Sequence, residues 1–423
     1  MSKVSLVSLG CPKNLVDSEK LLDKLAEKGI SYSADPDDSD ILLINTCGFI
    51  EDAKRESVEE ILRLAEHKDG VKKLVVFGCL AKRFGPELQK EIPEIDVIYG
   101  VGDDQKIVEF CSDILKPEEG PADRPEINET AYAYLKIAEG CDRGCSYCVI
   151  PDIRGGFISR SPDEVLREAE DLLLSGKKEL ILVAQDITSY GSDIGGYDLN
   201  RLVKDIASIS GDFWIRLLYL YPTSITDGLL ETMAGEKKVC RYLDIPLQHT
   251  ESRILSLMKR GGNRVYYEKL IKRIRSSVPD VAIRTTLITG FPQETDEDFA
   301  NMLAFVQEMK FDRLGVFPYS REEGSNAYLL KDQVPKQTRK RRSNMIMQAQ
   351  SAISAERNKA LVGKTFRALV DMQDADLSVA RIYSQAPEID GVTFIRDRRA
   401  VKNKFVNIRI TNSYDYDLEG EVI

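Results

Sequence analysis

Eight cysteines and only two histidines, His67 and His249, occur among 423 residues, so a metal site in this chain must rest chiefly on thiolates. The densest group is Gly140-Cys-Asp-Arg-Gly-Cys-Ser-Tyr-Cys148. Its C-x3-C-x2-C spacing, in a glycine-containing loop just after an expected strand, lets Cys141, Cys145 and Cys148 converge on one centre. A zinc site would want a fourth protein ligand close by, and none follows within this loop. A four-iron cube held by three thiolates instead leaves one iron open, free to bind substrate or cofactor. Structural zinc stays as the alternative.

A second group is dispersed but regular. Cys11 follows the expected strand Val4–Leu9, Cys47 follows Asp40–Ile44, and Cys79 follows Leu74–Phe77. In an open parallel sheet the carboxyl ends of strands border the crevice where ligands bind. Three thiols at equivalent strand ends, each beside Gly or Pro, point to a second three-thiol site. The alternative is three unrelated buried cysteines, since Cys is among the most buried residue types. Cys111 and Cys240 sit among apolar neighbours and read as core. His249 lies at a strand end, either as a site residue or as a structural histidine. His67 reads as a solvated helix end.

The elements that must position these residues fall into an α/β organisation. Residues 1–115 alternate short β-branched runs with amphipathic helices, which implies an N-terminal parallel α/β sheet domain. Residues 116–130, rich in Pro and Glu, read as a linker. Six further strand–helix units over 131–335 suit a partial barrel or a doubly wound sheet, a choice the pattern leaves open. Residues 336–360 form a basic connecting helix, read as a solvated face. Residues 361–423 carry short strands separated by Gly, Pro and Asp turns, the pattern of a small antiparallel β-barrel.

Charge limits the partners. Lys and Arg number 59 against 69 Asp and Glu, a net charge of −10, whereas a dedicated nucleic-acid binder should be basic. The C-terminal segment is itself near neutral, with nine Lys/Arg against ten Asp/Glu. It suits a basic protein partner, docked through acids such as Asp371, Asp374 and Asp376, better than RNA. No run approaches the roughly 18 apolar residues of a membrane helix, and the N-terminus lacks a signal-peptide pattern. The expectation is a cytoplasmic enzyme with no membrane contact and no direct tRNA binding.

Together the motifs resemble a known family. Cys141-x3-Cys145-x2-Cys148, with Tyr147 before the last cysteine, is similar to the radical S-adenosylmethionine (SAM) signature. An N-terminal domain with three separated cysteines and a C-terminal TRAM-like barrel complete the likeness to the methylthiotransferases over essentially the whole chain. Ser8-Leu-Gly-Cys-Pro-Lys-Asn-Leu-Val-Asp-Ser18, Asn45-Thr-Cys-Gly-Phe-Ile50, Tyr242-Leu-Asp-Ile-Pro-Leu-Gln-His249 and Asp332-Gln-Val-Pro335 resemble the RimO-type branch, which acts on a ribosomal protein. The MiaB-type tRNA branch typically has a Gly-Cys-Gln-Met-Asn-type stretch where Gly10–Asn14 stands.

The resemblance implies a central radical-SAM partial (β/α)6 barrel and methylthiolation at the β-carbon of an aspartate in small-subunit ribosomal protein S-twelve. That carbon is an unactivated CH2, beyond any side-chain base, so the chemistry requires hydrogen-atom abstraction. The implied cofactors are SAM and two 4Fe–4S clusters, one on Cys141, Cys145 and Cys148 and one on Cys11, Cys47 and Cys79. The implied partners are the ribosomal protein, possibly within its subunit, and a flavodoxin- or ferredoxin-type reductant. Strand carboxyl ends form the active face of such a barrel, which nominates Gln185, Arg216, Gln248 and Thr286, with Tyr147, as cofactor contacts. Val183-Ala-Gln-Asp-Ile-Thr188 replaces the Gly-Gly-Glu that many radical-SAM enzymes carry. The competing readings are a tRNA-adenosine methylthiotransferase and a non-catalytic iron–sulfur carrier.

Overall fold

The structure is a computed structural model that describes residues 3–68, 70–115, 120, 122, 130–374 and 376–423. The expected linker at 116–130 lies outside the described residues apart from Gly120, Ala122 and Thr130. The chain divides into two compact units. One holds Met1–Glu129 with Cys148–Gly156 and Ser320–Ser325, and the other holds Thr130–Tyr147, Phe157–Tyr319 and Asn326–Ile423. The central and C-terminal segments therefore form one unit, and two short central pieces go with the N-terminal sheet.

In the first unit, β1 (Lys3–Ser8), α1 (Pro12–Glu27), β2 (Ser31–Tyr32), β3 (Ile41–Thr46), α2 (Glu51–Glu66), β4 (Lys73–Gly78), α3 (Cys79–Glu91), β5 (Val97–Ile98) and α4 (Asp104–Ile114) alternate along the chain. The strands pair in parallel in the order β2-β1-β3-β4-β5. Every residue of the central strand β3 is buried, the near-continuous apolar run expected where helices cover both sheet faces. Leu43 packs with Leu21, Leu22 and Leu25 of α1, while Leu42 and Ile44 pack with Ile61 and Leu64 of α2. The short helix α5 (Ile150–Arg154) also belongs here, as does Glu322, whose carboxylate pairs with Lys54 at 2.8 Å and Arg83 at 3.1 Å.

The second unit begins with β6 (Tyr132–Lys136), β7 (Ala138–Glu139), β8 (Ile158–Ser159), α6 (Pro162–Leu174), β9 (Glu179–Val183), α7 (Leu199–Ser208), β10 (Trp214–Leu217), α8 (Asp227–Gly235) and β11 (Val239–Asp244). It continues through α9 (Ser252–Leu257), α10 (Arg264–Ser277), β12 (Ala282–Thr289), α11 (Asp296–Met309), β13 (Arg313–Pro318) and α12 (Lys336–Lys359). Ser161 caps α6 by accepting the Glu164 N–H, with Pro162 in the first turn, as the Ser-Pro-Asp-Glu pattern predicts. The parallel sheet runs β13-β12-β11-β10-β9-β6. Successive strands are always neighbours. A doubly wound sheet reverses its order at a switch point, so this sheet is the partial (β/α)6 barrel.

The C-terminal strands β14 (Thr365–Gln373), β15 (Ser378–Ile382), β16 (Thr393–Ile395), β17 (Phe405–Ser413) and β18 (Leu418–Val422) close in the order β14-β15-β16-β18-β17. The expected antiparallel barrel is correct at every seam except one, since β16 and β18 pair in parallel. Ala368, Val370, Ala380, Ile382, Ile395, Ile408 and Leu418 fill its core. Among the described residues no helix is long and apolar enough to cross a membrane.

Candidate metal centres

The three dispersed cysteines stand at the carboxyl ends of the adjacent strands β1, β3 and β4. Gly10 turns the chain after β1 at φ +92°, and a Cβ there would stand 2.6 Å from Cys47 Cβ and 2.9 Å from its Sγ. Both the turn and the close approach demand glycine. Cys11 is the N-cap of α1, and its side chain makes no capping hydrogen bond. The N–H of Cys47 donates to Ser57 Oγ, and that hydroxyl donates to the Cys47 carbonyl, each at 3.0 Å. Cys79 opens α3 directly after Gly78, which has φ +97°.

Asn14 joins the three strand ends. Its Nδ2 donates to the carbonyls of Leu9 at 2.9 Å and Thr46 at 3.2 Å. Its Oδ1 accepts Arg154 Nη2 at 2.6 Å and lies 3.9 Å from Cys11 Sγ and 3.7 Å from Cys79 Sγ. Sequence reasoning missed Asn14, although it ends the Gly10–Asn14 stretch by which the branches were told apart. Burial, joined by charge on Cys11 and Cys79, pushes the Cys47 thiol up to about 11. Two buried thiolates with a half-buried third beside them need a cation to be stable together, which is the chemistry of a thiolate metal site. Among the described residues no group of Cys, His, Asp or Glu is arranged to hold a single metal ion. A cube that takes one thiolate per iron needs its sulfurs further apart than one ion's ligands. Cys111 and Cys240 are core residues, their thiols pushed up to about 12 by burial.

The second thiol group occupies the loop after β7. Gly140 and Gly144 take positive φ of 73° and 64°. Ser146 pins the loop, its N–H donating to the Met258 carbonyl, its hydroxyl to the Leu257 carbonyl, and its own carbonyl accepting the Ala327 N–H. Arg143 donates to Asp186 at 2.6 Å and to Ser189 and Ser224. Its guanidinium lies 4.0 Å from the Tyr221 ring, and that of Arg260 lies 4.5 Å from the same ring. Arg260 Nη1 also approaches Cys145 Sγ at 3.7 Å. Cationic groups therefore border these thiols. Cys148 Sγ accepts the Ile150 N–H at 3.4 Å. Tyr147 is half-buried against the barrel core.

The nominated cofactor residues part company. Gln185 follows β9 and donates Nε2 to Glu139 Oε1 at 2.9 Å, while its Oε1 is buried without a hydrogen-bond partner. Gln248 takes φ +71°, bridges to Leu287 and likewise buries an unpartnered Oε1. Thr286, half-buried on β12, accepts the Gln248 N–H at its carbonyl. Orphaned buried acceptors are rare in folded proteins, and two at strand carboxyl ends fit the ammonium or ribose hydroxyls of SAM. Arg216 does not join them. Its Nε meets Glu179, the first residue of β9, at 2.5 Å, and Nη1 donates to the Tyr383 carbonyl at 2.7 Å. The side chain runs to the amino end of the barrel, away from the active face. Strand position alone could not show that. His249 is buried and held within the fold: Nδ1 accepts the Glu251 N–H and Nε2 faces Glu294 at 3.3 Å.

Comparison with known proteins decides the family. The model of the uncharacterized protein family UPF0004 matches residues 3–100, that of the radical SAM superfamily residues 135–306, and that of the TRAM domain residues 362–423. A protein of Thermodesulfovibrio yellowstonii called ribosomal protein uS12 methylthiotransferase RimO is 50% identical, with 100% of each chain covered. The chain belongs to the RimO family. A relative of the same name from Thermoanaerobacter sp. is 45% identical, again over 100% of both chains. The radical SAM methyltransferase TsrM of Kitasatospora setae, solved with cobalamin and a 4Fe–4S cluster, superposes with a TM-score of 0.56. That likeness covers 90% of this chain and 81% of TsrM at 14% identity, and it supports the fold alone.

As a RimO-family radical SAM enzyme, the chain requires an iron–sulfur cluster and SAM. Its TRAM barrel corrects one expectation about docking. Asp371 forms a two-point ion pair with Arg381 at 2.6 and 2.8 Å, so this carboxylate is committed within the fold. Asp374 and Asp376 are exposed beside Arg396, Asp397 and Arg398 around a shallow cavity.

Proposed function

We propose that this RimO-family protein attaches a methylthio group to the β-carbon of an aspartate in ribosomal protein uS12, using two 4Fe–4S clusters. The full-length relatives that carry that activity in their name support the substrate. The observation that carries the two-cluster reading is that Cys11 and Cys79 stand beside Asn14 while Gly10, next to Cys11, packs on Cys47, all apart in sequence from the Cys141–Cys148 loop.

When bound, the cluster on Cys141, Cys145 and Cys148 together with SAM supplies a carbon-centred radical able to take hydrogen from an unactivated CH2. The chain's own residues do the placing. Ser146 and the Arg143–Asp186 pair fix the loop, and Tyr147 packs it onto the barrel. Gln185 and Gln248 offer buried acceptors to the cofactor's donors, with Thr286 alongside. The Cys11, Cys47 and Cys79 site holds the sulfur source. Asp374 and Asp376 present exposed carboxylates to a basic substrate protein. A flavodoxin- or ferredoxin-type protein provides the electron, and the substrate is free uS12 or the ribosomal subunit.

The test is anaerobic reaction of reconstituted protein with SAM, a low-potential reductant and either uS12 or tRNA. A gain of one CH2S unit on a uS12 aspartate, with 5′-deoxyadenosine formed and tRNA unchanged, is expected. Modification of tRNA alone would overturn the assignment, and absence of SAM cleavage with release of clusters would favour a carrier.

A further inference from the structure

Arg154 ends helix α5, which begins two residues after Cys148, and its side chain is only 2% exposed. Nη2 donates to Asn14 Oδ1 at 2.6 Å, and both terminal nitrogens reach Asp17 Oδ2 at 3.1 Å. On the same helix segment, Val149 and Ile153 pack directly with Cys79. Asn14 stands beside the sulfurs of Cys11 and Cys79. A buried guanidinium is thus bonded to the amide oxygen that stands beside two of the three sulfurs. Asp17 is 24% exposed, so water weakens its opposing charge while Arg154 keeps its own.

We propose that Arg154 is a positioning residue of the Cys11/Cys47/Cys79 site: it fixes Asn14 beside the sulfurs, and its buried charge raises the reduction potential of the cluster bound there. This rests on the reading that these thiols hold a cluster. Reduction adds negative charge to a thiolate-bound cube, and a fixed nearby cation favours the reduced form. Cluster potentials respond to local charge in this way, and groups held close behind the ligands tune metal sites generally. Asp17 acts in the opposite sense.

The test is an anaerobic redox titration, followed by electron paramagnetic resonance, of full-length protein carrying Cys141→Ala and Cys145→Ala. In that background Arg154→Gln is expected to lower the reduced-to-oxidised ratio at the parent midpoint about tenfold, or about 59 mV for one electron. Arg154→Lys keeps the charge and returns the midpoint toward the parent value. Asp17→Asn moves it the other way. A purely structural salt bridge would not give shifts of opposite sign. An unchanged midpoint in Arg154→Gln, or shifts of one sign for both neutralising variants, overturns the proposal. Should Arg154→Gln fail to hold iron, an unmoved midpoint in Asp17→Asn overturns it. A background protein with no cluster at all refutes the two-cluster reading on which the proposal stands.

Discussion

Arg216 Nε lies 2.5 Å from Glu179 Oε1, and both side chains are fully buried. Arg381 of the TRAM barrel meets the other oxygen of the same carboxylate at 2.6 Å. Around them, the loop between β15 and β16 caps the amino end of the central barrel: Tyr132 donates to Glu388, and Tyr242 and Arg284 reach Asp390. The TRAM barrel is thereby tied to the catalytic barrel through one carboxylate shared by two guanidiniums.

Removing that charge should be costly. Glu179→Gln leaves the buried Arg216 without a carboxylate and Arg381 with Asp371 alone, and breaking a buried pair in this way costs about 3–5 kcal/mol. Burial by itself would raise the Glu179 carboxyl, but Arg216 and Arg381 outweigh it and hold the group below the usual carboxylate range. Its stabilisation is therefore complete above the ordinary Glu value and is lost as pH falls through the lower folded value. Urea melts of cluster-free protein should show the Gln variant destabilised at neutral pH, with the gap to the parent closing in acid.

Gln185 and Gln248 should affect cofactor binding with little effect on folding. Each offers one buried acceptor, and losing one hydrogen bond costs about 0.5–1.5 kcal/mol, or about two- to tenfold in Kd. Equilibrium binding of SAM to Gln185→Ala and Gln248→Ala should weaken by that factor, whereas Arg216→Met should lower stability and leave the SAM Kd in place.

Gly10 should matter to one site only. Its φ of +92° and the 2.6 Å approach to Cys47 Cβ leave no room for a methyl group. Gly10→Ala should cost more than about 1 kcal/mol from the backbone alone. Iron analysis should show the Cys11/Cys47/Cys79 site lost and the Cys141/Cys145/Cys148 site retained.

Much of this was legible in the residues. Periodicity found the parallel strands, because β3 and its neighbours are buried on both faces and read as apolar runs. Cysteine spacing named both thiol groups as candidates. Strand β18, Leu418-Glu-Gly-Glu-Val422, has little β-forming character and is recruited by pairing with β16 and β17. Arg216 was misplaced because position on a strand does not tell which end of the barrel a long side chain seeks. Asn14 and Arg154 stand 140 residues apart, and only the fold brings them to the same sulfurs.

The most direct measurement is the iron content of anaerobically reconstituted Cys47→Ala and Cys141→Ala variants beside the parent chain, with the paramagnetic signal of each after reduction. The parent should hold about eight irons and each variant about four, with a different signal surviving in each and neither modifying uS12. A parent with only about four irons, or one substitution that empties both sites together, would contradict two independent cubes in one chain.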